Sequence, residues 1–350
     1  MFENRINQAK KLLKEFSADM LFINDPESIK YLTGLYFSLG RLFISGKSVE
    51  LVVDGRYFSI AKKLNFLNVT LLEKDSFKKF IKKNDIKKIG FDSSFITYLD
   101  YENIKKSLEK EILVPINNPL QNLRLYKDKN EIALIKKSCE INWQGFLHIS
   151  KLLKEGISEI ELALEYEIFV KKHGAEKLSF DPIIAFGKNS AFPHHKTSNT
   201  KLKSSDNILI DIGVSYQGYA SDMTRVVFLK EKNKTLEKYY EIIKEASFKA
   251  IELCRPNVKL KELDIAARII LKQNNIEHLF VHSLGHGVGL NVHEFPRIKF
   301  DNEDKDVLLK DGMVITIEPG LYDESIGGVR YENMILITQD SHEVLYPLSF

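Results

Sequence analysis

Four carboxylates stand at the ends of short apolar runs, and they come in two pairs. Asp211 closes Ile208-Leu209-Ile210, and Asp222 opens a run that continues over residues 224–228. Glu318 follows Val314-Ile315-Thr316-Ile317, and Glu332 precedes the apolar residues 334–337. Short apolar runs bounded by turn residues read as buried strands. Residues 214–219 read as the hairpin turn of the first pair, and Pro319, Asp323, Gly327 and Gly328 supply the turn of the second. Across so short a turn Asp211 and Asp222 are expected to face each other, with Cβ atoms ~5 Å apart. At that separation, and at an effective dielectric of about 20, two like charges repel by roughly 3 kcal/mol. If the two hairpins pack face to face the four acids converge, and a cation of charge two or more is what offsets such a cluster.

The chain around these pairs has two parts. With 350 residues the expectation is two domains. Over the first 120 residues strand-like runs (20–23, 41–45, 49–53, 69–72, 88–91) alternate with helical patterns, which predicts a small α/β domain at 1–120. Pro115 and Pro119 fall in a polar stretch that reads as the boundary. The second domain, 121–350, opens with helical stretches at 128–153 and 158–174, the latter started by the capping box Ser158-Glu159-Ile160-Glu161. Strands follow at 182–186, 207–214 and 224–229. Two helices (236–253, 260–273) and three strand runs (288–293, 314–317, 329–337) then repeat the scheme, a duplicated α+β architecture.

Composition removes several classes. Lys plus Arg is 51 and Asp plus Glu is 48, so no global field draws the chain to nucleic acid or a membrane surface. No apolar stretch approaches the ~20 residues of a membrane span, and the first residues carry helical spacing with interspersed charges rather than a secretory signal. Cys139 and Cys254 both sit in helical patterns and read as free core thiols, which fits a cytoplasmic setting.

Residues 282–294 place His282, His286 and His293 among glycines, three of the nine histidines of the chain. No Lys-Ser/Thr follows to make a phosphate loop of those glycines. Four carboxylates and one imidazole form a hard, oxygen-rich donor set that suits paired Mn²⁺, Co²⁺ or Zn²⁺. Two such ions ~3.5 Å apart would share carboxylates and hold a bridging hydroxide as nucleophile, and the chemistry that follows is hydrolysis of an amide or ester.

Taken together, the motifs Phe192-Pro193-His194-His195, Asp211-Ile212-Gly213, Ser221-Asp222-Met223-Thr224-Arg225, Gly285-His286-Gly287-Val288-Gly289, Ile317-Glu318-Pro319-Gly320 and Gly328-Val329-Arg330-Tyr331-Glu332 resemble the proline-specific metallopeptidases of the pita-bread fold. These are the Xaa-Pro dipeptidases (prolidases) and Xaa-Pro aminopeptidases. Pro26-Glu27-Ser28-Ile29-Lys30-Tyr31-Leu32-Thr33-Gly34 and Val53-Asp54-Gly55-Arg56-Tyr57 look like the creatinase/prolidase N-terminal domain, so the resemblance covers nearly the whole chain.

The resemblance implies a duplicated pita-bread catalytic domain and a dinuclear exopeptidase that hydrolyses the Xaa-Pro bond of proline-containing peptides. Its implied ligands are Asp211, Asp222, His286, Glu318 and Glu332, with Asp222 and Glu332 bridging two ions, Mn²⁺ foremost. His194 and His293 would steady substrate and oxyanion, Glu318 would shuttle the proton, and Arg330 and His282 would line the pocket. Thr224 would orient a ligand carboxylate, His194 is preferred to His195 because it follows the proline, and a homodimer is implied. Asn333 and Asn291 depart from the acids common in the family, without removing a ligand. The alternatives are a methionine-aminopeptidase-like enzyme, which would lack this N-terminal domain, a creatinase-type hydrolase, which dispenses with the metals, and an inactive peptide- or protein-binding relative, which would lose ligands.

Overall fold

The computed structural model describes residues 1–229 and 231–348, and the chain divides into two compact units, Met1–Arg124 and Leu125–Phe350. The first unit holds a six-stranded mixed sheet in the order Asn68–Leu71, Val49–Val53, Gly40–Ser45, Met20–Ile23, Lys88–Asp92, Ile112–Ile116. Its fully buried strand Met20–Ile23 pairs antiparallel with Gly40–Ser45 and parallel with Lys88–Asp92. The hairpin expected around Gly46 is present. Pro115 pairs with Phe91 on the edge strand Ile112–Ile116, a place where a missing N–H costs no ladder bond, so the stretch is not irregular there.

The second unit repeats a helix pair followed by a hairpin. Lys129–Ser150 is capped by Asp128 and Glu131, and Glu159–Lys172 by Ser158 and Glu161, each a reciprocal capping box. The second pair is Lys234–Glu252 and Leu260–Gln273. No helix among the described residues is long and apolar enough to cross a membrane.

In the first hairpin Asn207–Ile212 pairs with Met223–Phe228, and Val214–Tyr216 with Tyr219–Ala220. The turn sits at Gln217 and Gly218, both with positive φ (48° and 89°), as a two-residue hairpin turn requires. That centre is one residue beyond the midpoint between the two aspartates, so Asp211 pairs with Thr224 and not, as expected, with Asp222. A one-residue move of the turn slides the register by two and leaves every side chain on its original face. Asp222 is therefore a diagonal neighbour of Asp211 on that same face.

Alternation decides where the acids point. Ile208, Ile210 and Ile212 pack into the core with the first helix pair, while Leu209 joins the core of the second half, and Asp211 shares the side of Leu209. In the second hairpin Ile315, Ile317, Ile335 and Ile337 pack with the second helix pair, while Val314, Met334 and Leu336 join the first core. Glu318 and Glu332 fall on the face of Val314 and Met334. Ile317 pairs with Asn333 and Gly320 with Arg330, which sets Glu318 across from Glu332.

Two expected strands differ from this picture. The run 329–337 breaks at Tyr331 and Glu332 into Gly327–Arg330 and Asn333–Ile337. The run 288–293 is not a strand; the strands there are Gly285–Gly287 and Glu294–Ile298. The alternation of Val288, Leu290 and Val292 belongs instead to a loop closed by Gly289 N–H on the Asn291 carbonyl and Asn291 N–H on Glu294.

Glycine at 285 and 287 is what lets this strand lie where it does. A Cβ on Gly285 would collide with the Thr316 carbonyl, and one on Gly287 with that of Phe295. Both obstacles are backbone, which cannot rotate away. Gly285→Ala should therefore destabilise the chain by about 1–3 kcal/mol, read as a lowered urea midpoint; an unchanged midpoint would mean that the close approach is not tight.

Candidate metal centre

The two hairpins meet through backbone as well as side chains. Glu332 N–H donates to the Thr224 carbonyl (3.2 Å), and the buried Arg225 donates to the Glu332 carbonyl (2.5 Å) and to Asn333 Oδ1 (2.8 Å). Donor atoms of Asp211, Asp222 and Glu332 lie within 4.8 Å of one another, as do those of His286, Glu318 and Glu332, and those of Asp222, His286 and His293. The structure thus brings together all five residues named as ligands from the sequence, with His293 beside them.

Each of two carboxylates has one oxygen held and one left open. Arg330 donates from Nη2 to Asp211 Oδ2 (2.5 Å), and Thr224 donates from Oγ1 to Glu332 Oε2 (2.7 Å). Asp211 Oδ1 and Glu332 Oε1 are buried and have no hydrogen-bond partner among the described residues. A buried carboxylate oxygen without a donor is costly, and an oxygen-seeking cation is the partner that suits it.

The histidine is prepared in the same way. His286 Nδ1 donates to the Gly287 carbonyl (3.0 Å), which leaves Nε2 facing Glu318 (3.4 Å) and Asp222 (3.7 Å). Burial, then the neighbouring His293, push the His286 pKa down to about 3, so the ring is neutral and free to ligate. Its backbone N–H is fixed by Thr316 Oγ1 (3.0 Å), which also donates to Glu318 Oε1 (3.2 Å).

Electrostatics point the same way. Burial, followed by the charges of Glu332 and Asp211, holds the Asp222 carboxyl well above its usual range, and burial and Glu332 do the same to Glu318. Glu332 is pushed up to about 8 by burial and Asp211. Among the described residues Arg330 is the guanidinium in contact with these carboxylates, with Arg225 on the Glu332 backbone carbonyl, and these do not balance four acids. Divalent ions fit this donor set, its open oxygens and its excess of negative charge.

The remaining residues line the cluster. Arg330 also donates from Nε to Thr224 Oγ1 (2.9 Å) and from Nη1 to the Tyr322 hydroxyl (2.7 Å). That hydroxyl reaches His282 Nε2 (3.0 Å), and His282 is pushed down to about 3 by burial and by Arg330. His293 and His194 are exposed side chains, and the His293 ring lies 4.3 Å from that of His286. His293 is lowered, by desolvation first, and the proximity of His194 lowers both His282 and His293. The sequence reading omitted Tyr322 and Thr316. Both hydroxyl residues sit in apolar strand sequence, where nothing but the face they share with Glu318 distinguishes them.

Comparison with known proteins agrees with this geometry. The model of metallopeptidase family M24 matches residues 133–339, and that of the creatinase/prolidase N-terminal domain matches residues 5–126. An Xaa-Pro dipeptidase of Pyrococcus furiosus is 36% identical over 97% of this chain and 96% of that protein. The structure of an Xaa-Pro dipeptidase from Bacillus anthracis superposes with a TM-score of 0.95 at 31% identity, covering 99% of this chain and 98% of that one. An X-Pro aminopeptidase from Thermotoga maritima gives 0.89 at 31% identity over 97% and 99%. The chain belongs to metallopeptidase family M24, with the pita-bread fold and the divalent metal requirement of that family.

The raised carboxyls make a signed prediction. In the metal-free protein Glu332 keeps its proton up to about pH 8, whereas an unfolded chain releases it near the ordinary 4.5. Through Glu332 the folded state binds more protons between those values, whereas the lowered His282 and His286 leave it with fewer below about 6.5, so the net fall of stability with rising pH is expected above that point. Thermal unfolding of chelated protein should show a midpoint lower at pH 8 than at pH 7, and added divalent ion should remove the fall. A chelated protein equally stable at both would contradict it.

Proposed function

Taking family membership as premise, we propose that the chain hydrolyses the Xaa-Pro bond of dipeptides with two divalent ions, Mn²⁺ foremost, held by Asp211, Asp222, His286, Glu318 and Glu332. The observation that carries this is the convergence of four carboxylates and one neutral imidazole in overlapping donor groups, with each of two buried acids keeping one oxygen open. Of the four carboxylates, Asp222 and Glu332 each belong to two of the three converging donor groups and Asp211 and Glu318 to one, which supports the first two as the bridging pair. Manganese suits so oxygen-rich a set. The dipeptidase reading rests on the relatives named for that activity at 31–36% identity.

When bound, the two ions would supply Lewis acidity and an activated bridging water as nucleophile. The protein groups do the rest. Glu318, which lies 3.4 Å from His286 Nε2 and accepts from Thr316 Oγ1, takes a proton from the attacking water as a carboxylate and passes it to the departing prolyl nitrogen. His293, neutral because its pKa is lowered, donates an N–H to the carbonyl oxygen as charge develops there, and the neighbouring His194 contributes beside it. Arg330 and Thr224 hold the second oxygens of Asp211 and Glu332, which aims the open ones. His282, locked between Ser283 and Tyr322, forms a wall of the pocket.

Asp222→Ala should abolish both hydrolysis and tight metal binding by calorimetry, and full activity would overturn the assignment. His293→Ala should keep the metals and lose about 10²-fold or more in kcat. Metal-loaded protein given Ala-Pro and Ala-Pro-Ala should cleave the first alone. Cleavage of the tripeptide would make it an aminopeptidase, and cleavage of neither a binding protein.

A further inference from the structure

The segment that presents His194 is tied to one carboxylate outside the metal cluster. Phe192, Pro193, His194 and His195 form a turn closed by His195 N–H on the Phe192 carbonyl (3.0 Å), with His194 exposed at its tip. His195, at the base, donates from Nε2 to Glu159 Oε2 (2.9 Å). Glu159 is the first residue of the helix Glu159–Lys172, and its side chain is fully buried. The same Oε2 accepts from Ser198 N (2.9 Å) and Ser198 Oγ (2.7 Å), and Oε1 accepts from Phe186 N (2.9 Å) and Asn189 Nδ2 (2.8 Å).

One carboxylate thus grips the chain before the turn, at the turn and after it. The backbone adds Glu159 N–H on the Thr200 carbonyl (3.2 Å) and Ile160 N–H on that of Ser198 (3.1 Å). Burial would raise the Glu159 carboxyl, yet its donors hold it below the ordinary range, so it is a charged, fully accepted anchor. Five hydrogen bonds to one side chain are more than a helix cap needs, since Ser158 and Glu161 already cap this helix.

We propose that Glu159 and His195 are positioning residues that fix the 192–195 turn and so aim His194 at the substrate. This rests on the catalytic reading above, in which His194 touches the substrate. A misplacement of about 1 Å in such a group costs on the order of 10²-fold.

The test measures kcat, KM and metal content of metal-loaded protein on Ala-Pro. Glu159→Gln puts an amide where donors converge, and His195→Ala removes the ring. Each should lower kcat/KM about tenfold to a hundredfold with metal content unchanged. His195→Gln keeps a donor for Glu159 and should restore most of the loss. In a His194→Ala background, neither Glu159→Gln nor His195→Ala should lower kcat/KM further, because the residue they aim is gone. Losses that multiply in that background, or no rescue by glutamine, overturn the proposal.

Hydrogen exchange supplies the arm that does not depend on activity. Glu159→Gln and His195→Ala should speed exchange at the amides of 186–198 and leave 207–228 protected. Unchanged exchange at 186–198, or faster exchange over the whole unit, overturns the positioning role. Wild-type protein that cleaves no Xaa-Pro substrate fails the function while the exchange arm still decides the anchor. If Glu159→Gln does not fold, the two His195 variants decide it alone.

Discussion

Four acids and one arginine in a nearly dry space cannot all be charged at no cost, and much of the catalytic unit is arranged around that imbalance. Asp211, Asp222 and Glu332 are almost completely buried, and burial is the first cause of the raised carboxyls of Asp222 and Glu332. Arg330 offsets part of the repulsion, and its three donors are divided among Asp211, Thr224 and Tyr322. What remains is negative, and it is confined where strands, not loops, hold the side chains. Elements with both faces packed do not drift apart to relieve repulsion, so an electrostatic cost is retained that a flexible loop would dissipate.

The hairpins achieve this by a shared device. Each is one long antiparallel pair whose ladder is interrupted next to its acids, at Gly213 in the first and at Tyr331 and Glu332 in the second. One face of each feeds its own helix pair, and the other carries carboxylates among apolar residues that belong to the opposite core. Tyr331, between Arg330 and Glu332, is buried against Tyr240 and Phe248 with Arg225 over its ring (4.6 Å). The residues on either side of the acids are therefore pinned by the core itself.

Much of this was legible in the amino-acid sequence because it is carried by local pattern. The apolar runs before Asp211 and Glu318, the capping box at Ser158, and the helix pairs repeat at spacings that periodicity exposes. The register was not legible, since the midpoint between two aspartates says nothing of which residues accept positive φ, and Gln217 with Gly218 moved the turn. The loop after Gly287 misled for the opposite reason: Val288, Leu290 and Val292 alternate as a strand does, while Asn291 and Glu294 close a turn. Long-range partners such as Tyr322 on Arg330, or Glu159 on His195, leave no local trace, because a hydroxyl in a strand and a glutamate after a cap look ordinary until the fold brings them to their partners.

The division of the acids between two hairpins also bears on the order in which the unit assembles. Asp211 and Asp222 leave the ribosome some hundred residues before Glu318 and Glu332, and local contacts form faster than distant ones. Neither hairpin alone brings more than two carboxylates to the cluster, so a divalent ion has little to grip there until both halves have docked. Capture of the ion would then report the docking of the two halves of the unit, and a nascent chain stalled before the second hairpin would carry an unfinished site with little hold on metal.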